Sequence, residues 1–415
     1  MRASSAWKAS EERCRSTKPE GARVVREVAI AGIGQTKYSG LTDQSYPELV
    51  RAATKTVLED AETTIDSVDA VVVSMAPDAI IGVSHGERWI VDACGAAGKP
   101  MMRVHTGGAT GISAVQVAAY HVASGMYDTV MVVGADRVGE SGDAQTILNR
   151  IWDPFYERAM PLNTITMLAF QAVRFMEKYG MTEEHMAAVS VKDHKNGCKN
   201  PYAHVQKEFT VEDVLGSRMI SWPIKLYDSC PSSSGGAAMI LTAGENVGRF
   251  PHKPAYIRGL GHASETYWMG DRMGPKKEVD HADSPALTQA AYAAYKMAGI
   301  QDHRREIQAW ELYAPFSNIE LHAIQDVGLC EPDETLKLLE DGAFDIDGDR
   351  PVNPSGGVLC ANPISVTAMV RVAEAALQVQ GRAGEHQIDG VKTALATGIG
   401  GDHQHFGAVV VGDGR

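Results

Sequence analysis

The most constraining feature of this sequence is that one order of elements is written twice. From about residue 26, apolar and amphipathic segments alternate. VREVAIAGIG (25–34) reads as a buried strand ending in glycines, YPELVRAATKTVLEDA (46–61) as an amphipathic helix, and VDAVVVSMAP (68–77) as a second strand. KPMMRVHTGG (99–108) is a strand running into a glycine turn, ATGISAVQVAAYHVASG (109–125) a helix of small and β-branched residues, and YDTVMVVGADR (127–137) a fourth strand. The order returns in KPAYIRGLGHA (253–263), SPALTQAAYAAYKMAGI (284–300), EIQAWELYAPFS (306–317), RPVNPSGG (350–357), NPISVTAMVRVAEAALQVQG (362–381) and GVKTALATGIGG (390–401). Each copy closes on an apolar strand, 235–243 and 405–413. A separation of roughly 230–260 residues is far too long for a solenoid repeat. Two α/β half-domains, 26–250 and 251–415, account for it, with one large insertion at about 138–225 that we expect to form a lid. Loops 105–111, 313–318, 355–363 and 397–405 all follow the C-terminal ends of expected strands. Open α/β sheets bind ligands at such ends, so these loops should converge on one pocket.

Composition narrows the function classes. The 415 residues carry 39 Lys and Arg against 52 Asp and Glu, a net charge of −13. Such a surface argues against nucleic acid or an anionic membrane as partner. The six cysteines include no CxxC pair, which excludes a zinc ribbon within this chain, disfavours a disulfide scaffold and fits a reducing cytoplasm. No apolar run reaches the length of a membrane span. Residues 1–25 are polar and lack the apolar core of a secretory signal, so they read as a solvated extension. GIGQTKYSG has the wrong spacing for a dinucleotide fingerprint, and no metal-binding constellation stands out.

Several phrases resemble the thiolase superfamily over about 26–415. PVNPSGG (351–357) followed by NPI (362–364) resembles the thiolase loop that reads NPSGG…GHP; YDSCPSSSGGAAMILT (227–242) resembles its Asp/Ser-rich approach to the closing strand of the first half. VKDHKNG with NP (191–201) resembles a phrase of the sterol-carrier-like thiolases. The resemblance implies two five-stranded mixed sheets with helices in α-β-α-β-α layers, and a homodimeric core. It also implies coenzyme A as substrate or product rather than as a resident cofactor. Within the superfamily the likeness is to subunits that act with a small zinc-ribbon/OB-fold protein, as in benzoylsuccinyl-CoA thiolase, which implies a bulky or aromatic acyl group.

The catalytic positions depart from that pattern. The thiolase nucleophile is a cysteine at the start of the helix after the third strand, where the helix N-terminus favours thiolate. The matching phrase here is GATG (108–111), and the position is Gly108. The histidine of GHP matches Asn362, the second catalytic cysteine matches Gly398, and the asparagine of the NEAF-like phrase matches Tyr313. Tyrosine at that place resembles the thiolase-like steroid side-chain aldolases.

Candidates therefore have to be weighed individually. Cys360, close to the expected start of a helix at Pro363, is either a displaced nucleophile or a small buried residue beside a ligand loop. Tyr313 either exchanges a proton with substrate or packs under a loop. His403 and His405 alternate in DHQHF, so at most one should reach the pocket as the acid/base that Asn362 is not. Gly107, Gly108, Gly400 and Gly401 let main-chain N–H groups approach a thioester or enolate oxygen, although turn geometry alone could demand them. Cys94, Cys330, Cys14, Cys198 and Cys230 read as structural or solvent-exposed, and His105 and His194 as hydrogen-bonded structural residues. We expect Tyr313, Asn362, Cys360 and one of His403 or His405 to line one cleft, with Gly108 opposite. Three functions fit: thiolysis or its reverse Claisen condensation, retro-aldol cleavage of a β-hydroxyacyl-CoA, and a non-catalytic acyl-CoA-binding scaffold.

Overall fold

The computed structural model describes residues 26–75, 77–142, 144–272 and 280–414; the polar extension 1–25 lies outside them. Nine strands form one mixed sheet: β1 (Val28–Gln35), β2 (Ala70–Ser74), β3 (Met101–Val104), β4 (Thr129–Arg137), β5 (Ser234–Ala243), β6 (Ala255–Ser264), β7 (Ala309–Glu311), β8 (Thr393–Gly400) and β9 (His405–Gly412). The order across the sheet is β3-β2-β4-β5-β1-β6-β9-β8-β7. From the centre outward the first half reads first, fifth, fourth, second and third strand. The second half repeats this, with Val352 bridging Trp310 of β7 where a third strand would lie. The duplication read from sequence is thus present strand for strand, with the last strand of the second half reduced to one bridge.

The sequence did not foretell how the halves join. The innermost strands of the two halves pair antiparallel through Ala29–Tyr256 and Ile30–Ala255, which joins the two expected sheets into one continuous sheet. Strand edges carry unpaired N–H and C=O groups, and this short pairing satisfies some of them.

Parallel strands covered on both faces should be uniformly apolar, and β2, AVVVS, is buried at all five positions. Helix α1 (Tyr46–Asp60) starts at a capping box of Ser45 and Glu48 and packs on one face of the first half. Between the halves lie α2 (Thr110–Ala123) and, in the second copy, its counterpart (Ile364–Gln380), which pack against each other. Gly111 permits their approach: a Cβ there would stand 2.2 Å from the Met369 nitrogen.

Between β4 and β5 the chain forms α3 (Thr164–Tyr179), α4 (Glu183–Gly197) and a small hairpin at 219–225. Asn163 caps α3 with its side chain, and Gly180 ends it at φ +79°. The second half adds α5 (Pro285–Ala298) on β6, α6 (Ser317–Asp326), and the Ile364–Gln380 helix, here α7. Every residue of α7 after Ile364 is buried, as befits a helix enclosed on all sides. Among the described residues no helix is long and apolar enough to cross a membrane.

Candidate active site

The centre of the site is the N-terminal turn of α2. Gly107 has φ +63°, and the 105–109 loop lies main chain to main chain against the end of β8. A Cβ on Gly400 would stand 2.0 Å from the Thr106 oxygen and 2.6 Å from the Ala109 nitrogen. Gly401, at φ +61°, continues the same close approach. Gly107, Gly108 and Gly400 are therefore required by backbone contact, and Gly401 by its left-handed conformation.

Gly108 faces Tyr313. A Cβ on Gly108 would lie 2.6 Å from the Tyr313 hydroxyl oxygen and 2.5 Å from the Ile399 oxygen. A side chain at 108 and the phenol cannot occupy that space together. Gly398 is filled likewise: a Cβ there would meet Cγ2 of Ile112, from α2, at 2.4 Å. At both glycines a neighbour occupies the space that a side chain would need.

Tyr313 is held by the main chain of its own segment. Its N–H donates to Thr397 Oγ1 (2.9 Å), and the Leu312 N–H to Asn353 Oδ1 (2.8 Å). Glu311 accepts from Ser355 N–H (3.1 Å), Ser355 Oγ (2.8 Å) and Arg371 Nη1 (2.5 Å). Asn353 Nδ2 donates to Glu320 (2.6 Å), which pairs with Lys192 (3.0 Å). The PVNPSGG phrase is therefore a brace behind Tyr313. The hydroxyl itself makes no hydrogen bond to a described residue, although the residue is only 4% exposed. Burial raises the phenol well above its ordinary value, with Cys230 adding to the shift and Arg371 opposing it, so it is held as a neutral donor.

Asn362 comes from the loop before α7. Its N–H donates to Ser233 Oγ (3.0 Å), and its Oδ1 accepts from Thr367 Oγ1 (2.8 Å). With the oxygen engaged, Nδ2 points to Cys230 Sγ at 3.1 Å. Cys230 itself is tied to the Tyr313 segment: its N–H donates to the Pro315 oxygen (2.9 Å), and Ser229 bridges Phe316. Burial pushes this half-buried thiol up to about 11, while the Asn362 amide pulls it down. The structure thus gathers Gly108, Tyr313, Asn362 and Cys230.

Cys360 does not join them. It ends a separate helical turn, Gly357–Cys360, and is fully buried. Its thiol donates to the Asp193 oxygen (3.3 Å), and a Cβ on Gly197 would stand 2.4 Å from its sulfur. Burial and then the Asp193 charge raise it well above the usual thiol range. A thiol packed against α4, away from the start of α7, is not placed as a nucleophile.

His403 also turns away. Asp402 and His403 have φ of +57° and +62°, so this stretch is a turn and not the extended segment that alternation assumed. The His403 ring is buried 3.2 Å from Gln171 Nε2 and edge-on to Phe406, and burial followed by His322 drives its pKa far down. His405 is half-buried, with Nδ1 3.1 Å from Ser264 Oγ. Neither ring hydrogen-bonds to Tyr313 or Asn362. His194 is a structural residue: its Nδ1 lies 2.8 Å from the Ser190 oxygen. Among the described residues no group of His, Cys, Asp or Glu is arranged to hold a metal ion.

Comparison with known proteins agrees with this architecture. The family description "Thiolase, N-terminal domain" matches residues 24–217, and "Thiolase C-terminal domain-like" matches 273–413. Acetyl-CoA acetyltransferase of Methanothermobacter thermautotrophicus is 32% identical over 379 residues, 91% of this chain and 97% of that protein. Sterol carrier protein 2 of Bos taurus is 29% identical over 397 residues, 92% of this chain and 71% of that protein. Among solved structures, the Ltp2-ChsH2(DUF35) aldolase superposes with a TM-score of 0.79 at 26% identity, covering 93% of this chain and 97% of that one. Human mitochondrial 3-ketoacyl-CoA thiolase gives 0.69 at 14% identity, over 94% and 99% of the respective chains, and shares the fold. Two family matches that together span most of the sequence, on a strand order repeated about its centre, establish that this chain belongs to the thiolase family.

Proposed function

We propose that the protein makes or breaks a carbon–carbon bond of an acyl-CoA by aldol chemistry, without an acyl-enzyme. The observation that carries this reading is the Tyr313 hydroxyl standing where a side chain at Gly108 would begin. In the cleavage direction the β-hydroxyl of a β-hydroxyacyl-CoA gives up its proton and the Cα–Cβ bond breaks. Its electron pair passes to the thioester as an enolate. Tyr313 exchanges the proton with the β-oxygen, and the Asn362 amide, with the main-chain N–H groups opening α2, supplies donors for developing negative charge. Coenzyme A enters as part of the substrate, and the insertion 138–225 acts as its lid. The Ltp2-ChsH2(DUF35) aldolase pairs two proteins, which supports a partner subunit here.

Thiolysis of a β-ketoacyl-CoA is the second reading, and the 32% identity to an acetyl-CoA acetyltransferase favours it. Incubation with β-hydroxy and β-keto thioesters, alone and with a partner subunit, separates the two. Aldol cleavage proceeds without free CoA, thiolysis consumes it, and a scaffold turns over neither. Tyr313→Phe should lower kcat for the β-hydroxy thioester by about 10²–10⁴-fold. Free-CoA-dependent turnover that survives this change would sink the aldol reading.

A further inference from the structure

We propose that Cys230 is the acid–base residue that exchanges a proton with the α-carbon of the acyl-CoA. This assignment rests on the aldol reading above and gives a role to the one residue of the gathered set still without one.

Three observations lead to it. Of the five described cysteines, only Cys198 and Cys230 are partly exposed; Cys94, Cys330 and Cys360 are buried. Thr367 holds the oxygen of the Asn362 amide, so the amide N–H is directed at Cys230 Sγ, 3.1 Å away. A donor aimed at sulfur favours thiolate, the form left when the thiol gives up its proton. The third is Tyr313, more than nine-tenths buried, whose hydroxyl makes no hydrogen bond to a described residue. Its main chain adjoins the Cys230 loop through Pro315 and Phe316, and charge on Cys230 is felt at the phenol. A phenol and a partly exposed thiol thus stand on adjoining loops.

The chemistry closes without a co-reactant. When the Cα–Cβ bond breaks, the enolate needs a proton at Cα. The Cys230 S–H bond breaks, a Cα–H bond forms, and the S–H electron pair remains on sulfur as thiolate beside the Asn362 amide. The transfers are concerted with bond breaking: as the S–H proton reaches Cα, Tyr313 passes its own hydroxyl proton to the sulfur and takes the β-hydroxyl proton, so thiol and phenol are both restored. In the condensing direction the thiolate removes the α-proton and Tyr313 delivers one to the new alkoxide. A thiol held up to about 11 makes a correspondingly stronger base in that direction.

The decisive measurement is α-proton exchange of acetyl-CoA and propionyl-CoA in D2O, followed by mass spectrometry, which does not require the carbon–carbon step. Wild type should incorporate deuterium. Cys230→Ala should be slower by about 10²–10⁴-fold with KM little changed, and Cys230→Ser should fall between them. In wild type, methyl methanethiosulfonate mapped to Cys230 should stop exchange reversibly, and saturating acetyl-CoA should protect Cys230 but not Cys198; this arm needs no variant to fold. Exchange at the wild-type rate in Cys230→Ala, or in protein blocked at Cys230, overturns the assignment and leaves the aldol reading standing. Wild type that neither exchanges nor cleaves any β-hydroxy thioester removes the aldol reading, and the role of Cys230 with it.

Discussion

The loops that open the two central helices occupy corresponding places in the duplicated halves, yet they have diverged in opposite directions. Before α2 the chain presents glycine and main chain, and Gly108 gives its space to a residue of the other half. Before α7 it presents a dense polar assembly in which Asn353, Ser355 and Asn362 all bond to side chains or main chain elsewhere. The contrast separates two duties. The first loop can be stripped because no buried charge depends on it. The second cannot, because Glu311, Glu320, Lys192 and Arg371 are buried and balance one another through it.

The largest expected effect tests that second duty. Arg371→Met leaves Glu311 buried without its cation, and breaking such a pair typically destabilises by about 3–5 kcal/mol. Urea unfolding should register it, and a loss below about 1 kcal/mol would mean that the assembly carries little of the fold.

At the first loop the expected effect is smaller. Gly108→Ala forces a methyl against Tyr313 and Ile399, and overpacking of this kind costs about 1–3 kcal/mol. Because the phenol oxygen is one of the two close atoms, Tyr313→Phe should recover part of that loss. A non-additive double-mutant cycle would show that the two departures are one adaptation, whereas strict additivity would show that they are independent.

The smallest effect is a pH dependence within the second half. The buried pair Glu374–His386 (2.9 Å) holds the imidazole above its ordinary 6.5 and the carboxyl below its ordinary 4.5: burial is the largest single influence and opposes both shifts, and the partner's hydrogen bond and charge, with those of further neighbours, together outweigh it. The raised histidine contributes stability fully below 6.5 that is lost as pH rises through its folded value. The lowered glutamate contributes above 4.5 and loses it as pH falls. The pair's contribution should therefore peak between these limits, and His386→Gln should flatten the melting temperature against pH there.

Much of the fold was legible because a repeated order of strands and helices survives as periodicity in the sequence. The β1–β6 pairing was not, since nothing in either strand names its edge partner. At the site, Tyr313 and Asn362 became candidates through position in a motif, and the structure sets one against Gly108 and the other against Cys230. Of the two readings of Cys360 the structure favours the small buried residue, because the turn before Pro363 points its thiol at α4. Cys230 was passed over because its partner Asn362 lies 132 positions away, a separation that no local pattern bridges.

The filling of the spaces beside Gly108 and Gly398 limits what those positions can become. Restoring cysteine at 108 would drive its Cβ into the Tyr313 phenol, and restoring it at 398 would drive another into Ile112. Each substitution would need its neighbour on a different element to give way, at an expected cost of about 1–3 kcal/mol. A thiol at either position is therefore tied to what fills the space now, and the two sites are most readily changed together with Tyr313 or Ile112.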